Sequence, residues 1–162
     1  MNKVCSITLS WGDAPYYFHG LANNALAKRT KRFNEQYRLP AIAQWEIAEN
    51  LLAKQFAMEC ISIPLPEGKD YMDTYYVLKE AKREMDERGY THAVLIAHEV
   101  HLPRVRLVAK QLGIIESRSF PRIVYDEIPY DSNSRHLQAT SEYIARPYEL
   151  FAILWYWVTG KI

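Results

Sequence analysis

Residues 93–97 read AVLIA, an apolar run with no polar position. A strand with one solvated face alternates apolar and polar residues, so an unbroken run needs cover on both faces. That requirement points to a parallel sheet held between helices, because crossover helices cover both sides of such a sheet. The neighbouring sequence has the helices. Residues 70–88 carry Val77, Leu78, Ala81 and Met85 as one helical stripe, and Gly89 stands where a helix C-cap favours glycine. Residues 103–112 repeat the pattern with Val105, Val108, Ala109 and Leu112, opened by Pro103 and closed by Gly113.

The same alternation extends to both ends. Residues 3–10 are rich in β-branched side chains and predict the first strand, with a loop over 11–20. Residues 21–37 predict a helix, stopped by Pro40, with Leu21, Ala22 and Ala25 inward and Lys28, Arg29, Lys31 and Arg32 outward. A very short strand is expected at 41–43. A helix follows over 45–55, with Ile47, Ala48, Leu51 and Leu52 inside, and then a strand over 59–63. Residues 122–128, between Pro121 and Pro129, predict a last strand at a sheet edge. A polar loop leads to a closing helix over 147–158. The sum is a single α/β domain over 1–162, a Rossmann-like three-layer sandwich. Its mainly parallel sheet has about five strands, with helices on both faces.

Composition narrows the function. The chain has 162 residues, 49% hydrophobic and 24% charged, which supports a packed core and excludes general disorder. Twenty basic and 19 acidic side chains leave a formal charge of +1, so no global field attracts nucleic acid or anionic lipid. The basic cluster KRTKRF at 28–33 reads as a solvated helix face. Cys5 and Cys60 cannot make a disulfide framework or a four-cysteine zinc site, and they read as buried free thiols in a reducing compartment. A Cys5–Cys60 bond requires neighbouring strands. The N-terminus carries no signal-peptide pattern, and the longest apolar run, 150–158, is far short of the ~20 residues that span a bilayer. The expectation is a soluble cytoplasmic protein. The run ELFAILWYWV is apolar all round, which suits docking on the sheet first, a homodimer interface second and peripheral membrane contact third.

The six glycines form neither GxGxxG nor a P-loop, and GxSxG, HExxH and CxxC are missing as well. The remaining guide is position. Ligands of open α/β sheets bind beyond the carboxyl ends of the strands. Ser10 and Asp13 follow the first strand, Gln44 and Glu46 the second, and Asp70, Asp73 and Thr74 the third. His98, Glu99, His101 and Arg104 follow the central one. Arg104 at a helix start makes an anion receptor, or pairs with Glu99 or Asp73 as a structural bridge. His101 suits general acid/base work or a capping role, with Asp73 or Glu46 orienting it. Asp70 reads as the helix cap. His98 and His101 form HxxH and with Asp73 or Glu46 give a set for a divalent metal, but that spacing alone assigns no metal site.

The segment HAVLIAHEVHLPRVRLVAKQLG resembles the signature of the YdcF/SanA/ElyC-like family, domain of unknown function family 218. The family's histidine–apolar–Pro–Arg element matches His101, Leu102, Pro103 and Arg104. Its acidic helix-opening motif is similar to QWEIAENLL, with Glu46 in the acidic place, and its Asn/Asp–Thr pair to Asp73 and Thr74. Order and spacing agree over 41–113. The tail resembles the family's closing helix, and the first strand fits loosely. Two features depart: PAIAQ stands in place of a strand ending in Ser-Gly-Gly, and His98-Glu99 in place of Thr-Ser. The resemblance implies a Rossmann-like fold and a cleft holding Glu46, Asp73, Thr74, His101 and Arg104. Many relatives carry a membrane anchor and are linked to envelope biogenesis; without an anchor pattern, this chain resembles the soluble members. The family name brings no settled reaction.

The functional expectation is a small enzyme or enzyme-like protein binding an anionic, nucleotide-like or phosphorylated molecule. Catalysis falls to His101, Asp73 and Glu46, and binding to Arg104, Thr74, Asp13, His98 and Glu99. The cofactor is open, with S-adenosylmethionine or another nucleotide as a candidate. The alternatives are a ligand-sensing or protein-interaction module without turnover, and a divalent-metal hydrolase.

Overall fold

Strands β1 (Val4–Thr8), β2 (Ala41–Gln44), β3 (Cys60–Ile63) and β4 (His92–Ile96) lie parallel in the order β3-β2-β1-β4. The computed structural model describes residues 3–12, 20–120 and 127–162. Among these, five α-helices cover the sheet: α1 (Gly20–Tyr37), α2 (Trp45–Ala53), α3 (Thr74–Arg88), α4 (Leu102–Gln111) and α5 (Glu142–Val158). The first two crossovers step outward from β1 to β3. The third returns past β1 to β4, so the order reverses between β1 and β4. In sheets of this kind that reversal opens a crevice at the carboxyl ends of the two strands.

Each sheet face has its own core. Cys5, Ile7, Ile42 and Leu95 pack with Val77, Leu78 and Met85 of α3 and Val105 and Val108 of α4. Ala41, Ala43, Val94 and Ile96 pack with Leu26 and Phe33 of α1 and Ile47 and Leu51 of α2. The second face also takes the polar half of β1. Thr8 Oγ1 meets Thr30 Oγ1 at 2.9 Å, and Asn34 Nδ2 donates to Ser6 Oγ at 2.7 Å. Buried polar groups are tolerable when bonded, so α1 turns Thr30 and Asn34 inward to satisfy β1.

Several local expectations change. Among the described residues the sheet has four strands, not about five. The place beside β4 is taken by a single bridge, Ala93 to Glu116. Of the strand expected at 122–128, only Glu127 and Ile128 are described, and neither is strand. On α1, Leu21 is exposed and Arg29 buried, because Arg29 reaches across to Glu99 at 2.7 Å. Leu52 of α2 also faces outward. Helix α5 starts at Glu142 rather than 147 and holds Pro147 inside. Pro147 has no N–H to give the helix, and the helix continues through it with Ala145, Glu149, Ala152 and Tyr156 buried on one stripe. No disulfide links Cys5 and Cys60, since β2 lies between their strands. Burial pushes the Cys5 thiol up to about 12 and the Cys60 thiol to about 11, which makes both poor nucleophiles. No helix among the described residues is long and apolar enough to cross a membrane.

The cap of α3 is Asp73, not Asp70. Its Oδ1 accepts from Tyr76 N–H at 2.7 Å, and at the other end Gly89 closes the helix at φ 70°. Asp73→Ala should therefore lower stability by about 1 kcal/mol in urea unfolding. Asp70→Ala should stay within about 0.5 kcal/mol. Equal effects would contradict the assignment.

Candidate functional site

The turn after β1 is shaped by α1. Trp11 N–H donates to Asn23 Oδ1 at 2.7 Å, and Asn23 Nδ2 donates to Gly12 O at 2.8 Å. Gly12 has φ +75°, and a Cβ there would lie 2.6 Å from Ala139 Cβ, so glycine lets the turn close against the 131–140 loop. Trp11 is thereby held over the histidines after β4. Its ring stacks on His98 at 4.9 Å and tilts against His101 at 5.2 Å. The ends of β1 and β2 are joined by Ser10 N–H donating to Gln44 Oε1 at 3.1 Å. Gln44 Nε2 donates to Glu46 Oε1 at 3.3 Å, and Ser10 Oγ lies 3.5 Å from the same oxygen. Glu46 sits in the first turn of α2, where the helix dipole favours a carboxylate.

A narrow cleft, partly open to solvent, lies over these strand ends. Its polar wall includes Ser10, Gln44, Glu46, Thr74, His101 and Arg104. Four segments distant in sequence thus meet, as the strand-end rule predicts.

The chemistry centres on a buried triad that joins α4 to α5. Arg104 donates from Nε to Glu149 Oε2 and from Nη2 to Oε1, both at 2.8 Å. His101 Nδ1 lies 3.1 Å from Glu149 Oε1 and 3.1 Å from Arg104 Nη2. A carboxylate only accepts and a guanidinium only donates. Nη2 carries two N–H groups, so Nδ1 donates to Glu149 in one tautomer and accepts from Arg104 in the other. In the first tautomer Nε2 is a free lone pair, and in both it faces Thr74 Oγ1 at 3.5 Å beside the cleft. Burial holds His101 below the ordinary histidine range, against the opposing pull of its Glu149 hydrogen bond. It is neutral at neutral pH. Glu149 is held low despite burial, by its His101 hydrogen bond and then by Arg104. Burial alone would lower Arg104, but the Glu149 charge outweighs it and raises it further.

The other expected residues divide. Asp73 is tied up twice, by the α3 cap and by Lys161 Nζ at 2.7 Å on Oδ2. His98 is buried beneath Trp11 and away from the cleft wall. Glu99 pairs with Arg29 outside the cleft, so neither Glu99 nor Asp73 is the partner of Arg104. Asp13 lies outside the described residues. Among the described residues, no three His, Cys, Asp or Glu side chains gather as a metal set. The expected HxxH pair does not converge, because Nδ1 of His101 turns to Glu149 while His98 faces Trp11.

Sequence reasoning missed Glu149. The available signal was its place as the lone charge in PYELFAILWYWV. A carboxylate in an apolar helix needs a buried cation, and Arg104 is that cation.

No family model matches the chain, and neither the curated proteins nor the solved structures contain a match.

Proposed function

We propose that this strand-end cleft binds a small anionic molecule, nucleotide-like or phosphorylated, and that His101 exchanges a proton with it. The observation that carries the reading is the oriented imidazole. Nδ1 lies against Glu149 and Nε2 beside the cleft, and the tautomer that donates Nδ1–H to Glu149 leaves Nε2 there as a neutral base. A carboxylate behind a histidine fixes its tautomer and steadies the imidazolium that forms on proton uptake. Arg104 Nη1 makes no hydrogen bond among the described residues and is the donor for a phosphoryl or carboxylate oxygen. Because Glu149 balances the guanidinium charge, that contact acts as a hydrogen bond more than as a net field. Glu46 and Gln44 suit ligand hydroxyls or amines on the opposite wall.

Membership of the YdcF/SanA/ElyC-like family is part of the proposal and rests on the match at His101, Leu102, Pro103 and Arg104. The two free thiols suit a cytoplasmic setting. The runner-up is a sensor that binds without turnover.

The test is thermal unfolding of wild type, Thr74→Val and His101→Gln against nucleotides, S-adenosylmethionine and sugar phosphates. A ligand at 100 times its Kd should add about 2.7 kcal/mol to wild type. His101→Gln should keep most of that shift and lose conversion of the ligand, while Thr74→Val should reduce the shift. A ligand that shifts wild type but is never converted identifies the sensor. If no compound shifts wild type, the cleft reading fails.

A further inference from the structure

The strongest feature outside the cleft is the outer face of α5. The helix docks by one narrow stripe, Ala145, Glu149, Ala152 and Tyr156. Ala145 joins the α1/α2 core and Tyr156 the α3/α4 core, so α5 bridges the two layers. The rest of the helix was expected to pack on the sheet, and it does not. Leu150, Phe151, Leu154, Trp155, Trp157 and Val158 are each between 56% and 72% exposed.

From these residues and this geometry we infer that α5 is the interface of a two-fold homodimer, pairing with α5 of a second copy. Area is the first argument. An aromatic side chain offers about 150–250 Å². At the observed exposures the six residues present roughly 700 Å² together. The largest apolar patch on an ordinary monomer is about 300–600 Å². A standard interface needs about 800 Å² from each partner, which is close to what this face presents.

Charge is the second argument. No charged residue lies between Leu150 and Val158. Glu142 and Arg146, on the same helix, pair with each other. Lys161 beyond the helix end is held by Asp73. The face therefore has no free cation to read an anionic membrane and no charge to select a polar partner. A two-fold axis needs one surface that complements itself, and an uncharged helix face meets that condition without opposing like charges.

The test is sedimentation velocity on the full chain over a concentration series reaching tens of micromolar. Wild type should sediment at twice its 19.0 kDa mass. Leu154→Glu puts an unpaired carboxylate at the centre of the face and should weaken association by at least about a hundredfold. Phe151→Lys should do the same with the opposite charge. Neither residue belongs to the docking stripe, so far-UV circular dichroism of each variant should match wild type, and its urea midpoint should be independent of concentration, unlike the dimer's. If one variant fails to fold, the other decides. Wild type that stays monomeric throughout overturns the proposal. A dimer that both folded variants retain also overturns it, since the contact then lies elsewhere. Monomeric wild type that floats with phosphatidylcholine vesicles assigns the face to a membrane instead.

Discussion

Glu149→Ala should destabilise the protein by about 3–5 kcal/mol, read as a lower urea midpoint. Arg104 and Glu149 are 3% and 4% exposed, so water cannot replace the lost partner. The substitution strands the Arg104 guanidinium beside Tyr156, at 5.4 Å from the ring, with no anion left within reach of Nε or Nη2. It also removes the contact on His101 Nδ1, so the imidazole loses part of what orients it. Arg104→Met should cost a similar amount for the converse reason, a buried carboxylate without its cation. The double variant Arg104→Met/Glu149→Leu separates charge stranding from lost packing. Replacing both ions with apolar groups of similar size is often neutral or better, so the double should recover most of the loss. Two singles that each cost under about 1 kcal/mol would mean the pair is solvated in solution. A double that is the sum of the singles would mean the sites act independently.

Acidification should weaken the fold through His98. Burial is the main cause that brings its pKa from 6.5 down to about 4, against the opposing charge of Glu99 and the backbone of Ile128. His101 and Arg29 add smaller effects in the lowering direction. The folded protein thus holds the neutral ring, while the unfolded chain takes up a proton near 6.5. Stability from this group is complete above 6.5 and falls as pH drops toward 4, below which it changes no further. The gap corresponds to about 3 kcal/mol. His101 is shifted the same way and adds to the loss. His98→Phe keeps a ring against Trp11 and removes the titration. Urea unfolding at pH 7 and pH 4.5 should show a large drop for wild type and a clearly smaller one for His98→Phe. Identical drops would show that His98 is charged in the folded state or does not govern the acid limb.

Much of the fold was legible because periodicity reports on an element's own surroundings. AVLIA at 93–97 has no polar position, and it became β4, buried on both faces. Val77, Leu78, Ala81 and Met85 recur at helical spacing, and all of them reached the core. The strand-end rule brought Glu46, Thr74, His101 and Arg104 to one cleft. The rule failed for Asp73 and Glu99, because local competitors reach them first. A helix N-terminus and Lys161 take Asp73, and Arg29 takes Glu99.

By itself, the sequence determined the parallel α/β class, the sites of most helices and the group of residues beyond the strand ends. Hydrophobic spacing and capping are short-range, and the burial they require is met within each element. Tertiary structure alone decided what the charged groups do. His101 and Arg104 have little meaning until α5, 45 to 48 residues further on, delivers Glu149 between them. It also decided that α5 would bury one stripe and expose the opposite face. An all-apolar helix leaves its own orientation open, and the buried ion pair supplies the constraint. Glu149 must face Arg104, so Leu154 and Phe151 turn to the outside.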